Sequence, residues 1–486
     1  MGNIKGPTLQ LVITISSESA YLLFGYDQVR RVLGGLASDP SFLSAMENPS
    51  PTYLGIIVAL FNIGCLGGCL IAALWGNHLG RKKSIASPYG SGQMITGRII
   101  SGIGNGMNTS TVSVYVSETS RSAVRGRFLA IQMSTVIFGT VVAYWLDYGM
   151  IAIILALALQ EVFALITVAT MHLLPESPRR LYSKDKRQEA VRSLSLLMDL
   201  PDDHREITSI VSEIDQAISL EASSSKLSFR GIFLDKSDRK NRRRLLRCLL
   251  LQLFQQFTSI NVIMFYMTMV LEIDMGLSRE LSSPITRCIQ IAFWAGTFPA
   301  IILIDRLGRR RVPMYRSTML CIAMVLFTTS MVLQTPASSR LAVGMLIIYE
   351  FSFGMSWNSV PWLYALEITP LNLHHLGTAV ECISQWLWLF VIAVMTPSSI
   401  ENTWKIYLLF CLMLALGVLF VYLFMPETNG KSLEEIDYIF VKDRGQRGPD
   451  PIVPRKCVFN IGPDVNWTNA LVQFENVSEI FGIPLE

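Results

Sequence analysis

The stretch 79-LGRKKSIASPYGSGQMITGRIISGIGNGM-107 joins a basic cluster to a glycine-rich apolar segment. Lysine and arginine beside an apolar segment mark the cytoplasmic side of a membrane, so 81-RKK-83 is expected inside. The same rule places 121-RSAVRGR-127 inside, although only one apolar segment, 93–116, separates the two clusters. A single span cannot begin and end on the same side, so this stretch marks a departure from regular membrane topology.

The composition of the whole chain indicates a membrane protein. Of its 486 residues, 51% are hydrophobic and 16% are charged, a balance that a soluble globular protein could not bury. A helix needs about 20 mainly apolar residues to cross the hydrocarbon core. Eleven such windows occur, at 8–28, 53–75, 93–116, 128–148, 150–174, 247–271, 285–305, 314–334, 341–365, 377–397 and 404–425. The predicted fold class is therefore an all-α membrane protein with about eleven recognisable spans.

Several function classes are disfavoured by the same composition. A formal net charge of +4 is too small to indicate nucleic-acid binding, and the basic residues cluster at the ends of apolar segments. The eight cysteines are scattered and the five histidines form no constellation, so we expect neither a disulfide framework nor a metal site. No nucleophile and base are paired in the sequence, and we expect no enzymatic activity and no cofactor.

An internal repeat locates the irregularity. LGRKK at 79–83 recurs as LGRRR at 307–311, a spacing of 228 residues. Two further pairs have spacings of 249 and 251 residues: ETSRSAVRG (118–126) with EITPLNLHHLG (367–377), and PESPR (175–179) with PETNG (426–430). The first spacing is short by about the length of one transmembrane helix. The first half is thus predicted to lack its third helix, between Lys83 and Gly92.

The repeat also defines the domain organisation. We expect an N-terminal transmembrane half (1–174), a cytoplasmic linker with short helices (175–246), a C-terminal transmembrane half (247–425) and a cytoplasmic tail (426–486). The linker is polar and has basic clusters at both ends, which places it in the cytoplasm. An amphipathic pattern near 187–219 predicts helices within it.

The motifs in this order carry a family resemblance. They are FGYDQ (24–28), LGRKK, GRIISGIGNGM (97–107), PESPR, QLFQQFTSIN (252–261), DRLGRRR (305–311), VPWLYALEITP (360–370) and PETNGKSLEEID (426–437). Together, over roughly residues 20–440, they resemble the sugar porter family of the major facilitator superfamily, in a form similar to fungal hexose and lactose permeases. The resemblance implies two six-helix halves, a monosaccharide bound between them, and proton-coupled uptake by alternating access. It also implies a monomer in the plasma membrane.

Asp27 and Arg98 are ionisable residues inside predicted spans, where an unpaired charge is costly. The resemblance assigns them as the proton-coupling pair. A carboxyl group whose separation from a guanidinium changes can take up and release a proton. The alternative is that Asp27 caps a broken helix and Arg98 anchors the chain at the membrane interface.

A group of glutamines indicates a polar binding surface. Gln252, Gln255 and Gln256 follow an i, i+3, i+4 pattern and share one helix face. Asn261 points away from that face unless the helix breaks near Thr258 and Ser259. The resemblance implies that these four residues bind the sugar together with Gln132 and Trp362. Amides that only connect neighbouring helices are the alternative.

Charged residues in the basic loops form a third group, which we call the predicted cytoplasmic gate. By resemblance, its members latch the two halves together on the cytoplasmic side, although arginine and lysine there also set topology. They are Arg81, Lys82, Glu118 and Arg125 in the first half, and Asp305, Arg309, Arg310 and Glu367 in the second.

Other residues in apolar segments have simpler interpretations. The glycines of GIGNG (102–106) favour close helix packing rather than a nucleotide site, because no strand precedes them. Glu350 is a carboxyl group with no evident partner. The chain also departs from the family pattern, because Asn77 and His78 replace an Asp-Arg pair and the asparagine usual in 285–305 is missing. A sugar sensor, or an inactive transporter lacking one helix, therefore remains an alternative to transport.

Overall fold

A computed structural model describes residues 5–31, 59–72, 94–119, 125–148, 162–171, 174–223, 239–273, 275–333, 335–369, 374–400 and 404–429. All of them belong to the first of two compact units, Met1–Val441, and the second unit, Lys442–Glu486, lies outside the described residues. Most of the predicted cytoplasmic tail therefore also lies outside them.

Helices make up all the regular structure in the described ranges, as the apolar segments predict. The first half contains α1 (Gly6–Arg31), α2 (Ala59–Ala72), α3 (Met94–Thr119), α4 (Arg125–Tyr148) and α5 (Val162–Met171). The linker contains α6 (Pro178–Ser183), α7 (Arg187–Met198) and α8 (Arg205–Ser223). The second half contains α9 (Arg239–Gln256), α10 (Ile260–Ile273), α11 (Arg279–Leu307), α12 (Arg311–Leu333), α13 (Pro336–Gly354), α14 (Val360–Ile368), α15 (His374–Ile400) and α16 (Trp404–Phe424).

Each of the eleven predicted spans contains at least one of these helices. Within the described ranges, five segments are long and apolar enough to cross a membrane by length and composition. They are Gly126–Leu146, Arg279–Leu307, Arg311–Leu333, Leu376–Thr396 and Trp404–Phe424. Two predicted spans are interrupted, one between α9 and α10 and the other between α13 and α14.

The linker helices form a small core of their own. Leu181, Leu194, Ile207 and Ile214 are buried against one another, so the apolar faces of α6, α7 and α8 meet. This arrangement confirms the helices that the amphipathic pattern predicts near 187–219. The linker also touches α1, because the Gln10 side chain donates a hydrogen bond to the Leu197 carbonyl at 3.4 Å.

Helices α2 and α3 pack at close range through glycine. A Cβ atom added to Gly106 would lie 2.0 Å from the Cys65 carbonyl oxygen, and one added to Gly68 would lie 2.0 Å from the Ile103 carbonyl oxygen. The predicted close packing of GIGNG is therefore confirmed. Gly64 lies beside Ile99 while Gly68 lies beside Ile103, so the two helices run in the same direction.

Contacts between the two halves run along α4 and α11. The Ser134 and Thr297 hydroxyls are hydrogen-bonded at 2.7 Å, and the rings of Phe138 and Trp294 lie 5.0 Å apart. The residue numbers rise on one helix as they fall on the other, so the helices are antiparallel. Gln132, a predicted binding residue, lies on α4 two residues before Ser134 of this junction.

Candidate functional site

The site begins at a break in the helical backbone of the second half. Helix α9 ends at Gln256 and α10 begins at Ile260. Between them Ser259 has a φ of +74°, in the left-handed region that a continuing helix does not use. The Tyr349 hydroxyl donates to the Thr258 carbonyl, which supplies a partner for a carbonyl at the break. The helix therefore breaks at Thr258 and Ser259, which is the condition under which Asn261 can join the glutamine face.

The break brings Asn261 back to the glutamine face. Its side-chain amide donates a hydrogen bond to Oε1 of Gln256. In an unbroken helix, side chains five positions apart point in different directions, so these two would not meet. The four predicted C-terminal binding residues therefore form one cluster.

The other two glutamines of this cluster are held by their amide nitrogens. Gln255 donates to the Trp357 carbonyl at 2.7 Å, and Gln252 donates to Oε1 of Glu381 at 2.7 Å. Both glutamines are buried, and neither Oε1 atom has a hydrogen-bond partner among the described residues. Since buried polar atoms are nearly always paired, the two oxygens are acceptors suited to hydroxyl groups of a ligand.

Gln132 contributes from the first half. It lies on α4 and is 1% exposed, and neither atom of its amide has a partner among the described residues. The adjacent Met133 carbonyl accepts a hydrogen bond from Asn358 of the second half at 3.4 Å. Gln132 thus lies beside the junction of the halves with its full hydrogen-bonding capacity unused within the described part of the chain.

Aromatic residues surround the same region. Trp362 is buried on α14. Trp386 on α15 is fully buried and makes edge-to-face contacts with Phe24 of α1 at 5.6 Å and Phe61 of α2 at 5.9 Å. Its indole nitrogen has no hydrogen-bond partner in the described ranges. Trp386 therefore joins the halves and offers one donor.

Sequence reasoning missed three buried polar residues. Glu381 and Gln385 are four residues apart on α15 and so share a face, and the i, i+4 spacing in VECISQW was an available signal. Gln290 is fully buried on α11, and neither atom of its amide is paired among the described residues. Glu350, singled out from the sequence, is fully buried on α13, and its carboxyl oxygens have no hydrogen-bond partner there.

The predicted proton-coupling residues are only partly described. Asp27 is buried on α1. Arg98 is on α3, which packs against α1, but its side chain lies outside the described residues. The pairing of the two therefore stays a prediction.

A charged network connects the two halves. Arg127 of the first half lies 3.5 Å from Asp305 of the second. Asp305 in turn pairs with Arg309 at 3.1 Å, and Arg309 pairs with Glu367 at 3.1 Å. Three members of the predicted cytoplasmic gate thus meet in one network, and Arg127, which was not predicted, connects them to the first half.

The PETNG motif completes this network. Glu427 accepts hydrogen bonds from the backbone amides of Arg309 at 2.8 Å and Arg310 at 3.1 Å. Thr428 donates to Glu367, and Asn429 accepts from the Arg309 guanidinium. The repeated motifs that located the two halves are therefore in direct contact within the second half.

The remaining gate residues have other surroundings. Arg310 donates to the Tyr422 carbonyl at 2.5 Å and lies 5.5 Å from the centroid of that ring, so it faces α16. Glu118 accepts a hydrogen bond from Ser177 of the linker. Arg81 and Lys82 lie outside the described residues, as does the side chain of Arg125.

Comparisons with known proteins agree with this architecture. A family model described as "Sugar (and other) transporter" matches residues 12–440. The sugar transporter STL1 of Saccharomyces cerevisiae is 31% identical over 90% of this chain and 82% of its own. The MFS-type transporter oryC of Aspergillus oryzae is 31% identical over 93% of this chain and 90% of its own.

The fold has solved counterparts. The proton:xylose symporter XylE bound to 6-bromo-6-deoxy-D-glucose superposes with a TM-score of 0.74 at 24% identity, covering 88% of this chain and 98% of XylE. XylE belongs to the major facilitator superfamily, so the likeness shows the fold predicted from the repeat.

The alignments also show that this chain is shorter within the matched region. The alignment with STL1 runs over 472 positions, whereas 90% of 486 residues is about 437. The alignment with oryC runs over 487 positions, whereas 93% of 486 residues is about 452. In each case at least about 35 positions are gaps in this chain.

Proposed function

Since the chain belongs to the sugar porter family of the major facilitator superfamily, we propose that its fold and site serve to carry a hexose-type monosaccharide across the membrane together with a proton when all twelve spans are present. It is a multi-pass membrane protein of a transporter family, and we place it, as a monomer, in the plasma membrane.

One observation carries the proposal: buried amides of both halves have unused hydrogen-bonding atoms at the junction of the halves. Gln252 and Gln255 offer oxygens from the second half, and Gln132 offers a whole amide from the first. A sugar hydroxyl both donates and accepts, so such a set suits a polyhydroxylated ligand. Leaving these atoms unpaired costs about 1–3 kcal/mol each, a cost that ligand or water must offset.

Alternating access follows from the network at the cytoplasmic end. With Arg127 paired to Asp305, the halves are held together on that side. Release to the cytoplasm requires this contact to break while contacts on the opposite side form. Substrate and proton drive the exchange only to the extent that they bind the two arrangements with different affinity.

The breaks between α9 and α10 and between α13 and α14 are suited to this motion. Each places a non-helical turn within a predicted span, so the parts on either side can rotate separately.

Asp27 is proposed as the proton carrier. The distance between its carboxyl group and the Arg98 guanidinium is proposed to change during transport. The burial of Asp27 on α1, beside the helix that holds Arg98, supports this assignment.

The test is uptake in liposomes by the purified chain with a third transmembrane helix inserted between Lys83 and Gly92. Labelled glucose, galactose and xylose are offered with an inward proton gradient, and uptake is repeated with an uncoupler. In this form with all twelve spans, we expect at least one sugar to accumulate. We expect the uncoupler to abolish that accumulation.

Gln132→Leu is expected to abolish that accumulation, and Gln188→Leu, on the exposed surface of α7, is the control. Uptake that the uncoupler leaves unchanged would contradict the symport mechanism. No uptake of any monosaccharide by the complete form would contradict the transport function.

A further inference from the structure

Glu381 is a buried carboxyl group that the transport mechanism above does not use. It is 1% exposed, and its Oε1 atom accepts a hydrogen bond from the Gln252 amide nitrogen at 2.7 Å. An ionisable side chain in this position is costly and therefore indicates a function.

The surroundings of Glu381 place it at the substrate site. Helix α15 packs against α3 of the first half. Trp386, five residues after Glu381 on α15, packs against Phe24 and Phe61 of the first half. This part of α15 therefore packs against the first half, and Glu381 is bonded to Gln252 of the glutamine cluster.

The hydrogen bond fixes the orientation of the Gln252 amide. In this contact the amide nitrogen donates and the carboxyl oxygen accepts, so the amide oxygen of Gln252 faces away from Glu381. That oxygen has no partner among the described residues. A glutamine without such a neighbour can rotate by half a turn and present its nitrogen instead.

We propose that Glu381 is a positioning residue that makes Gln252 a hydrogen-bond acceptor towards the sugar, so that one hydroxyl of the substrate must donate at this position. The proposal rests on the sugar-binding function proposed above. It implies that the site distinguishes sugars by the donor capacity of that hydroxyl.

Paired sugar analogues measure this property directly. A deoxy sugar lacks the hydroxyl, whereas a deoxyfluoro sugar replaces it with a group that accepts weakly and never donates. Against a protein acceptor, the fluoro analogue binds no better than the deoxy analogue. Against a protein donor, it binds better.

The experiment is competition binding to the purified full-length chain, with the glucose analogues modified at each hydroxyl in turn. In the unaltered protein we expect one position at which the fluoro analogue has no advantage. In Glu381→Gln the Gln252 amide is free to rotate. At this position alone, we expect the ratio of the affinity for the fluoro analogue to that for the deoxy analogue to rise by about five- to tenfold, which is the effect of one hydrogen bond.

A charge-conserving exchange is the matched control. In Glu381→Gln/Gln252→Glu the pair is reversed, and the carboxylate at position 252 again presents an acceptor to the sugar. The exchange is expected to restore the original ratios, whereas a merely structural defect would weaken all analogues together. Thermal unfolding of each variant shows that it is folded.

The outcomes separate the two claims. If Glu381→Gln binds sugar with unchanged ratios at every position, or if the exchange fails to restore them, the positioning role is wrong and sugar binding stands. If the unaltered chain binds none of the sugars, the proposed function itself is contradicted, and the positioning role falls with it.

Discussion

At the scale of one residue, a substitution of Gln132 can show whether this side chain binds sugar or only supports the structure. Neither atom of its buried amide is paired among the described residues, so Gln132→Leu removes an uncompensated desolvation cost. We expect the sugar-free protein to be as stable as before or more stable by about 1 kcal/mol, while sugar affinity falls by about tenfold or more. Thermal unfolding and equilibrium binding measure the two effects.

Gln255→Leu is the matched comparison, because the Gln255 amide nitrogen donates to the Trp357 carbonyl at 2.7 Å. That change leaves a buried carbonyl without its donor, so stability and affinity should both fall. If Gln132→Leu destabilises the sugar-free protein as much as Gln255→Leu does, Gln132 connects helices instead of binding substrate.

The residue types of the site could be predicted from the sequence, but their partners could not. The i, i+3, i+4 spacing was enough to place Gln252, Gln255 and Gln256 on one face. The partner of Gln252 is 129 positions away on α15, and local periodicity contains no information about such a distant contact. Arg127 of the charged network was missed for the same reason, because its partner Asp305 lies in the other half of the chain.

At the level of elements, Ser259 controls the break between α9 and α10. Its φ of +74° costs a residue with a Cβ atom about 1–2 kcal/mol, and glycine avoids this cost. Ser259→Gly is expected to raise stability by about 1 kcal/mol and to keep sugar binding, whereas Ser259→Val should lower both. Thermal unfolding and binding of the purified variants give the result.

Ser212 provides a control at which substitution by glycine should change the stability in the opposite direction. It is exposed on α8, where the backbone is helical, so Ser212→Gly should destabilise the protein slightly. A loss of stability in Ser259→Gly similar to that in Ser212→Gly would show that the backbone at the break is not left-handed.

Glycine positions in the helices make a second prediction at this scale. A Cβ atom on Gly106 would overlap the Cys65 carbonyl oxygen, which is backbone and cannot move aside independently, whereas a Cβ atom on Gly344 meets nothing within 4 Å. Gly106→Ala should therefore cost several kcal/mol and reduce the yield of folded protein. Gly344→Ala should be neutral or stabilising by about 0.5–1 kcal/mol.

Size-exclusion profiles recorded after heating compare the two variants under the same conditions. Equal melting of Gly106→Ala and the unaltered protein would contradict the close packing of α2 and α3. The presence of this packing could be predicted from GIGNG, but the direction of the two helices could not, because composition is the same whichever way a helix runs.

At the level of the whole molecule, the pair Arg127 and Asp305 connects the two halves, and we propose that it favours closure on the cytoplasmic side. The Arg127 side chain is 61% exposed, so solvent weakens the pair and it should contribute about 0.2–1 kcal/mol. Arg127→Ala is therefore expected to favour opening by only about 1.4- to fivefold. The labelling rate of the buried Cys382 in inside-out vesicles, in a variant with no other cysteine, reports the opening.

Arg187→Ala is the control, because Arg187 is similarly exposed and pairs with Asp185 and Asp215 inside the linker. It should leave the labelling rate unchanged. If both variants accelerate labelling equally, the Arg127 contact does not determine which side is open.

The direction of α2 and α3 bears on the topology of the whole chain. Neighbouring helices that run the same way must be separated by an odd number of crossings, and only residues 73–93 connect this pair. That segment contains Arg81, Lys82 and Lys83 and no apolar window of about 20 residues. The shortened repeat, the gaps in the alignments and the parallel packing thus support the same proposal, that one helix is missing.

We expect this deficit to decide whether the chain transports. Insertion of about 20 apolar residues that form a transmembrane helix between Lys83 and Gly92 should restore twelve spans and yield uncoupler-sensitive sugar uptake, while the 486-residue form should show none. An insertion of equal length made of glycine and serine is the control, because it lengthens the connection without providing an apolar span. Uptake by the 486-residue form at the rate of the restored form would show that residues 73–93 return across the membrane without a helix of normal length.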